Sequence, residues 1–307
     1  RGERDRRRGA ARTGRPPDRK DNMTHTSLIS ATDLQALMHS GAPFMVFDCS
    51  FDLADTEWGI ARYHEAHIPG AIYAHLDHDL SAAGGPNASG GRHPLPTRER
   101  FAAWLSSVGF SNGMQAVVYD RNGAMPCMRL WWLFKWLGHD AAAVLDGGFA
   151  AWQAAGGAAA QHEEMPRAPG YFEPGEPLRT LVDTTRVLTH LGQADQTLLD
   201  ARAAERYRGE VEPLDPVAGH IPGALNRPWT ENLGADGRFK SAAQLRGEFA
   251  AVLQGHDPAT VVHQCGSGVS AIHNLLAMEL AGYAPTALYA GSWSEWCADR
   301  ARPVAAG

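Results

Sequence analysis

Short apolar runs alternate with helical spacings along most of the chain. Leu28-Ile29 precedes a predicted helix capped near Thr32 and stopped at Gly41; Phe44–Asp48 and Ala71–Ala74 read as strands. Thr97–Val108 follows as a helix, Ala116–Asp120 as a strand, Met128–Leu137 as a Trp-rich helix ended by Gly138, and Ala143–Leu145 as a strand. Near the other end, Thr260-Val261-Val262 is β-branched and apolar, and Ile272, Leu275, Leu276 and Leu280 then recur at helical spacing up to Gly282. This order predicts an α/β fold, with a largely parallel sheet flanked by helices.

The pattern occurs twice. His67-Ile-Pro-Gly-Ala71 returns as His220-Ile-Pro-Gly-Ala224, and Val117-Val118-Tyr119-Asp120 as Val261-Val262-His263-Gln264. Gly147-Gly148-Phe149-x-x-Trp152 returns as Gly291-Ser292-Trp293-x-x-Trp296, and Asp48 and Asp200 each end a predicted strand. Two homologous units are therefore expected, residues 23–155 and 179–307, joined by a Gly-, Ala- and Pro-rich linker over 156–178.

Residues 1–22 stand apart, with eight arginines and Lys20 against Glu3, Asp5, Asp18 and Asp21 and almost nothing apolar to bury. They are expected to be a disordered basic extension ahead of a start at Met23. Taking those nine basic and four acidic residues from totals of 28 and 34 leaves 19 against 30, a net charge of −11. That balance argues against a nucleic-acid surface, and an anionic substrate needs local cations to hold it. No apolar run is long enough for a membrane helix. Cys49, Cys127, Cys265 and Cys297 are scattered without a Cys-x-x-Cys pair, which fits a cytoplasmic setting better than a disulfide framework.

The chemistry concentrates in His263-Gln-Cys-Gly-Ser-Gly-Val-Ser-Ala271, which places Cys265 at a strand-to-helix turn. Free N–H groups and the positive end of the helix dipole make such a turn a place for an anion. Gly266 and Gly268 are expected to take positive φ so that amides from Gly266 to Ser270 curl around one point, with Ser267 and Ser270 adding hydroxyls. A thiol there favours its thiolate, the attacking form. A lone cysteine on a βα turn can equally be a packed core residue, and the Gly-Ser-Gly that follows tilts the reading toward function. The first unit has Arg121 at the equivalent position, followed by Asn122-Gly123-Ala124-Met125, so one half is expected to be catalytic and the other silent. Cys127 reads as a core residue.

These motifs, with Arg129-Leu-Trp-Trp-Leu-Phe-Lys-Trp-Leu-Gly-His139, closely resemble two-domain sulfurtransferases of the rhodanese and 3-mercaptopyruvate sulfurtransferase family, over nearly everything after Met23. The resemblance implies two tandem rhodanese-like domains with the active site on the second domain's loop, at the domain interface. Cys265 would be the persulfide nucleophile, moving a sulfane sulfur from a small anionic donor to a thiol, thioredoxin-like or cyanide acceptor, with no metal and no organic cofactor. Cys-Gly-Ser-Gly-Val-Ser is similar to the loop of mercaptopyruvate-using members, with Ser267 as their catalytic serine. Thiosulfate-using members typically carry Cys-Arg-Lys-Gly-Val-Thr, and the two extra positive charges are missing here. Hence 3-mercaptopyruvate is the expected donor and thiosulfate the alternative.

Arg206, in Arg206-Tyr-Arg-Gly209, matches the family's substrate-binding arginine and suits a carboxylate. A second family arginine, in Glu-Pro-x-Pro-Arg, is replaced by Glu212-Pro-Leu-Asp-Pro216, which leaves that clamp to Arg202, Arg208 or a residue elsewhere. His67 is the proton-handling candidate of the first half, although its repetition as His220 equally suits a structural role, and Phe51 is expected to wall the pocket. His263-x-Cys265 supplies too few ligands for zinc. A Cys-x5-Arg phosphatase is disfavoured because Ala271 stands where the arginine would, and a non-enzymatic binding module is disfavoured by the intact cysteine loop.

Overall fold

The computed structural model describes residues 24–82 and 84–307, and the expected basic extension lies outside them. The first half carries β1 (Leu28–Ile29), α1 (Ala31–His39), β2 (Phe44–Asp48), α2 (Trp58–Glu65), β3 (Ile72–Tyr73), α3 (Arg98–Ser107), β4 (Gln115–Tyr119), α4 (Cys127–Trp136), β5 (Ala142–Leu145) and α5 (Gly148–Ala154). The second carries β6 (Thr180–Val182), α6 (Thr184–Thr189), β7 (Thr197–Asp200), α7 (Ala204–Tyr207), β8 (Leu225–Asn226), α8 (Ala242–Leu253), β9 (Val261–Gln264), α9 (Ala271–Leu280), β10 (Ala287–Tyr289) and α10 (Ser292–Trp296).

The sheets run β1-β5-β4-β2-β3 and β6-β10-β9-β7-β8, the same order element for element, with parallel neighbours throughout. Both central strands, β4 and β9, are buried along their whole length, as expected of parallel strands covered on two faces. Each points its C-terminal end at a loop that enters a helix, the usual location of a site in an open α/β sheet.

Local boundaries follow side-chain chemistry. Helix α1 starts two residues earlier than Thr32 suggests, because the Ser30 hydroxyl accepts from the Asp33 amide; Thr97 caps α3 in the same way through Arg100. Helix α4 is buried on every side, its ten residues including Arg129 and Lys135. One face covers β4 and β5, and another meets α9 of the second half. A helix apolar all round needs such double cover. The main core accordingly runs through both halves, from Met45, Phe47 and Trp132 to Ile272, Leu275 and Leu276. The linker is anchored too: Phe172 is buried against Phe110 and His139, and its amide donates to the Ser106 hydroxyl.

One joint between the halves is titratable. His273 on α9 is fully buried and stacks on Phe239; Nε2–H donates to the Gly123 carbonyl at 3.0 Å, and Nδ1 accepts from Asn232 Nδ2 at 3.2 Å. Protonating Nδ1 would set donor against donor. Burial pushes this histidine down to about 4. An unfolded histidine titrates near ~6.5, so between these values the unfolded state binds more protons and stability rises with pH. We expect stability, measured by urea unfolding, to fall as pH drops from 6.5 toward 4, by about 1.4 kcal/mol per pH unit from this group. The His273→Gln protein should lose that part of the dependence.

Candidate active site

Cys265 follows the last residue of β9 and is 1% exposed. Its carbonyl accepts from the Trp293 amide and the Gly266 carbonyl from the Ser294 amide, both at 2.9 Å, so the loop is stitched to the turn entering α10. The Cys265 amide donates to Ser292 Oγ at 3.1 Å, and that hydroxyl donates to the Tyr289 carbonyl. The Gly268 amide donates to Cys265 Sγ at 3.2 Å. Gly268 has φ of +75°, and a Cβ there would collide with the Ala290 carbonyl, so glycine is required for both conformation and space. Gly266 does not share the left-handed conformation expected of it. It is small for another reason: a Cβ would lie 3.2 Å from Arg92 Nη2 and 3.7 Å from Arg206 Nη1. Val269 is buried, and Ser270 precedes α9 without a side-chain cap, leaving the helix entrance to the loop amides.

The cleft in front of the sulfur, about 250 Å³, lies between the halves. Phe51, Leu76, Met125 and Trp229 form apolar walls, Phe51 as expected. His93 reaches in from the long loop between β3 and α3, its Nδ1 2.7 Å from Ser267 Oγ and its Nε2 3.3 Å from Asp77 Oδ1. The hydrogen bond to His93 holds the Asp77 carboxyl below its ordinary range, so the acid is ionised and can only accept. The proton of His93 therefore sits on Nε2, and Nδ1 accepts from the Ser267 hydroxyl. Burial, helped by Arg129 and Arg92, lowers His93 against the opposing pull of Asp77, and the ring is neutral at neutral pH.

Arg129 braces this assembly from α4. Fully buried, it donates to the carbonyls of Leu80 (3.2 Å), His93 (2.6 Å) and Gly268 (3.1 Å), one guanidinium holding the His93 loop and the sulfur loop together. Burial pushes it down to about 9, with the Cys265 sulfur acting in the opposite direction.

The expected arginines separate. Arg206 borders the cleft, with Nη2 2.7 Å from Glu212 Oε1 and 3.4 Å from Asp215 Oδ2. Arg202 also borders it, but its guanidinium is held by Asp200 at 2.7 Å and lies over the Trp293 ring, a structural placement. Arg208 is not brought to the cleft: it pairs on the surface with Glu210. Nor is His67. Its Nδ1 meets the Tyr63 carbonyl at 2.8 Å and its Nε2 meets Glu164, while His220 makes the same 2.8 Å contact with Tyr207; both rings stack on those tyrosines. The carbonyl contact and the stacking shared by both halves mark the histidine as part of the fold.

The equivalent loop of the first half is filled differently. Asp120, the counterpart of Gln264, accepts from the amides of Asn122 (2.8 Å), Ala124 (2.9 Å) and Cys127 (3.0 Å), so a carboxylate fills the loop. Arg121 turns away to Asp48 and Ser50 and lies over Phe149, as Arg202 lies over Trp293. Cys127 is core, as expected. His263 Nε2 bonds Thr286 Oγ1 at 2.9 Å, and among the described residues no group of three or more His, Cys, Asp or Glu is placed for a metal ion.

Sequence reasoning missed His93, Asp77, Arg92 and Arg129. The available signal was Gly90-Gly91-Arg92-His93 in a long loop without periodicity, a setting typical of functional residues.

A family model described as the rhodanese-like domain matches residues 30–155 and again 183–299. Among curated proteins, the chain is 47% identical over 288 residues to the "Probable 3-mercaptopyruvate sulfurtransferase" of Pseudomonas aeruginosa, covering 93% of this chain and 100% of that one. It is 32% identical to the thiosulfate sulfurtransferase of Mus musculus, over 89% of this chain and 92% of the relative. The crystal structure of SseA from Escherichia coli, titled as a 3-mercaptopyruvate sulfotransferase, superposes with a TM-score of 0.74 at 30% identity, covering 87% and 98% of the two chains.

Proposed function

The chain belongs to the rhodanese-like family, and from that membership we propose that it moves a sulfane sulfur from 3-mercaptopyruvate, through a persulfide on Cys265, to a thiol or cyanide acceptor. The observation that carries this reading is the cleft itself: a cysteine sulfur at its floor, a Ser267–His93–Asp77 hydrogen-bonded chain beside it, and Arg206 at its rim.

In the first half-reaction the Cys265 thiolate attacks the donor sulfur, forming the S–S bond. The C–S bond breaks with its electron pair passing to carbon, which gives the enolate of pyruvate. That carbon then takes a proton, leaving pyruvate and an anionic persulfide. Ser267, hydrogen-bonded to His93, passes protons between the sulfur and the leaving carbon in this reading. The outer sulfur, about 2 Å beyond Sγ, carries the charge toward the amides of Gly266 to Ser270. In the second half-reaction an acceptor nucleophile attacks that outer sulfur and frees the thiolate. A thioredoxin-like dithiol is one such acceptor.

Intact mass after brief exposure to 3-mercaptopyruvate or to thiosulfate tests the reading. A gain of one sulfur from mercaptopyruvate, removed by cyanide, is the expected result; a gain from thiosulfate alone would favour the second donor, to which the mouse relative's name points. No gain from either would leave a binding module. Ser267→Ala is expected to lower kcat about a hundredfold. His93 works neutral and titrates below its ordinary value, so wild-type kcat/KM should hold through neutrality and fall only below pH ~6.5. Loss of that acid limb in Ser267→Ala, read from pH–rate profiles, checks the relay.

A further inference from the structure

Resting on the sulfurtransferase reading, we propose that Arg92, contributed by the silent half, completes with Arg206 a two-domain clamp for the donor carboxylate. It would supply the second cation that Glu212-Pro-Leu-Asp-Pro216 lacks.

The loop bearing Arg92 is seated on the catalytic half. Gly91 has φ of +86° and a Cβ there would lie 2.6 Å from the Gly291 carbonyl, while a Cβ on Gly90 would lie 2.6 Å from the Glu295 carboxyl carbon. The Arg92 amide donates to Ser294 Oγ at 3.0 Å. Two glycines thus bring the Arg92 backbone against the turn that also holds Cys265 and Gly266.

The side chain then crosses to the second half. Arg92 Nη1 donates to Asp215 Oδ1 at 2.7 Å, and the other oxygen of that carboxylate lies 3.4 Å from Arg206 Nη2. Asp215 therefore bridges the two guanidinium groups. Glu212 is fixed in turn by the amides of Leu214 and Asp215 and takes Arg206 Nη2 at 2.7 Å. These carboxylates engage one edge of each arginine. Arg92 Nη2 and Arg206 Nη1 face the space over Gly266, and among the described residues the buried Nε atoms of both arginines have no partner. Guanidinium groups from both halves thus border the cleft that Cys265 also lines, and a methyl group on residue 266 would crowd them.

The charges also bear on selectivity. Arg202, paired with Asp200, also lies 3.5 Å from Glu212, so three guanidinium groups meet three carboxylates and the clamp is nearly neutral before the donor arrives. A monoanionic carboxylate suits it by paired hydrogen-bond geometry, whereas a dianion finds no excess positive charge.

Steady-state kinetics of Arg92→Ala and Arg92→Lys with 3-mercaptopyruvate test the clamp. Losing a charged hydrogen-bonding partner should raise KM about ten- to a hundredfold with kcat within about twofold, and lysine, a point donor, should restore only part. Discharge of preloaded persulfide to a thiol should be unchanged, since that step carries no donor carboxylate. In a wild-type enzyme that turns over, an unchanged KM in Arg92→Ala overturns the clamp alone, and a collapse of kcat at constant KM reassigns Arg92 to positioning His93. A wild-type protein that forms no persulfide overturns the sulfurtransferase reading and the clamp with it.

Discussion

Cys265→Ser is expected to lower turnover by at least about three orders of magnitude and to abolish the gain of sulfur mass. A serine hydroxyl stays protonated at neutral pH and forms no stable bond to sulfane sulfur, so the covalent carrier is lost and not merely slowed. The replacement is nearly isosteric and keeps an acceptor for the Gly268 amide, so the melting temperature should move little. The other three cysteines sharpen the expectation. Burial pushes the thiols of Cys49, Cys127 and Cys297 up, away from the reactive thiolate. The wild-type protein should therefore gain one sulfur atom and Cys265→Ser none. Sulfur retained by Cys265→Ser would place the carrier on a different cysteine.

Arg129→Met is the second large effect, because two consequences of one guanidinium are removed together. The first is mechanical: the carbonyls of Leu80, His93 and Gly268 lose their donor inside the core. Each buried orphan costs about 1–3 kcal/mol, while removing a charge that no carboxylate neutralises returns part of that sum, leaving a net loss of about 2–4 kcal/mol. The second is catalytic: His93 and Gly268 stand on those carbonyls, and the charge behind the sulfur disappears. We expect kcat to fall about ten- to a hundredfold at temperatures where the variant is fully folded, a loss traceable to misplacement of reacting groups. Arg129→Lys should remain impaired, since one ammonium cannot reach three diverging carbonyls. Wild-type kcat in a destabilised Arg129→Met would reduce the residue to a structural pin.

The parts of this molecule legible in the sequence are those that depend on neighbours in the chain. The strand ending at Gln264, the turn at Cys265 and the helix from Ala271 are local, and their counterparts in the first half could be matched by pattern alone. The requirement for Gly268 was readable for the same reason, although Gly266 owes its size to arginines far away in sequence. Asp77, Arg92 and His93 belong to a loop with no periodicity, and their roles exist only after Gly90 and Gly91 settle on Gly291 and Glu295. Arg129 lay within a motif that signalled the family, yet its partners come from three separate segments. His67 misled because a repeated histidine beside proline and glycine looks chemical in one copy; its use against Tyr63, mirrored by His220 against Tyr207, is the answer the repetition already contained.

The carboxylate of Asp120 bears on how this architecture divides its labour. Its amide nest holds a permanent tenant, tethered by its own backbone and unable to depart. In the second copy the Gly268 amide meets the Cys265 sulfur instead; under the proposed relay the two copies differ less in having amides for negative charge than in whether the group those amides hold can take on a guest and release it in every cycle.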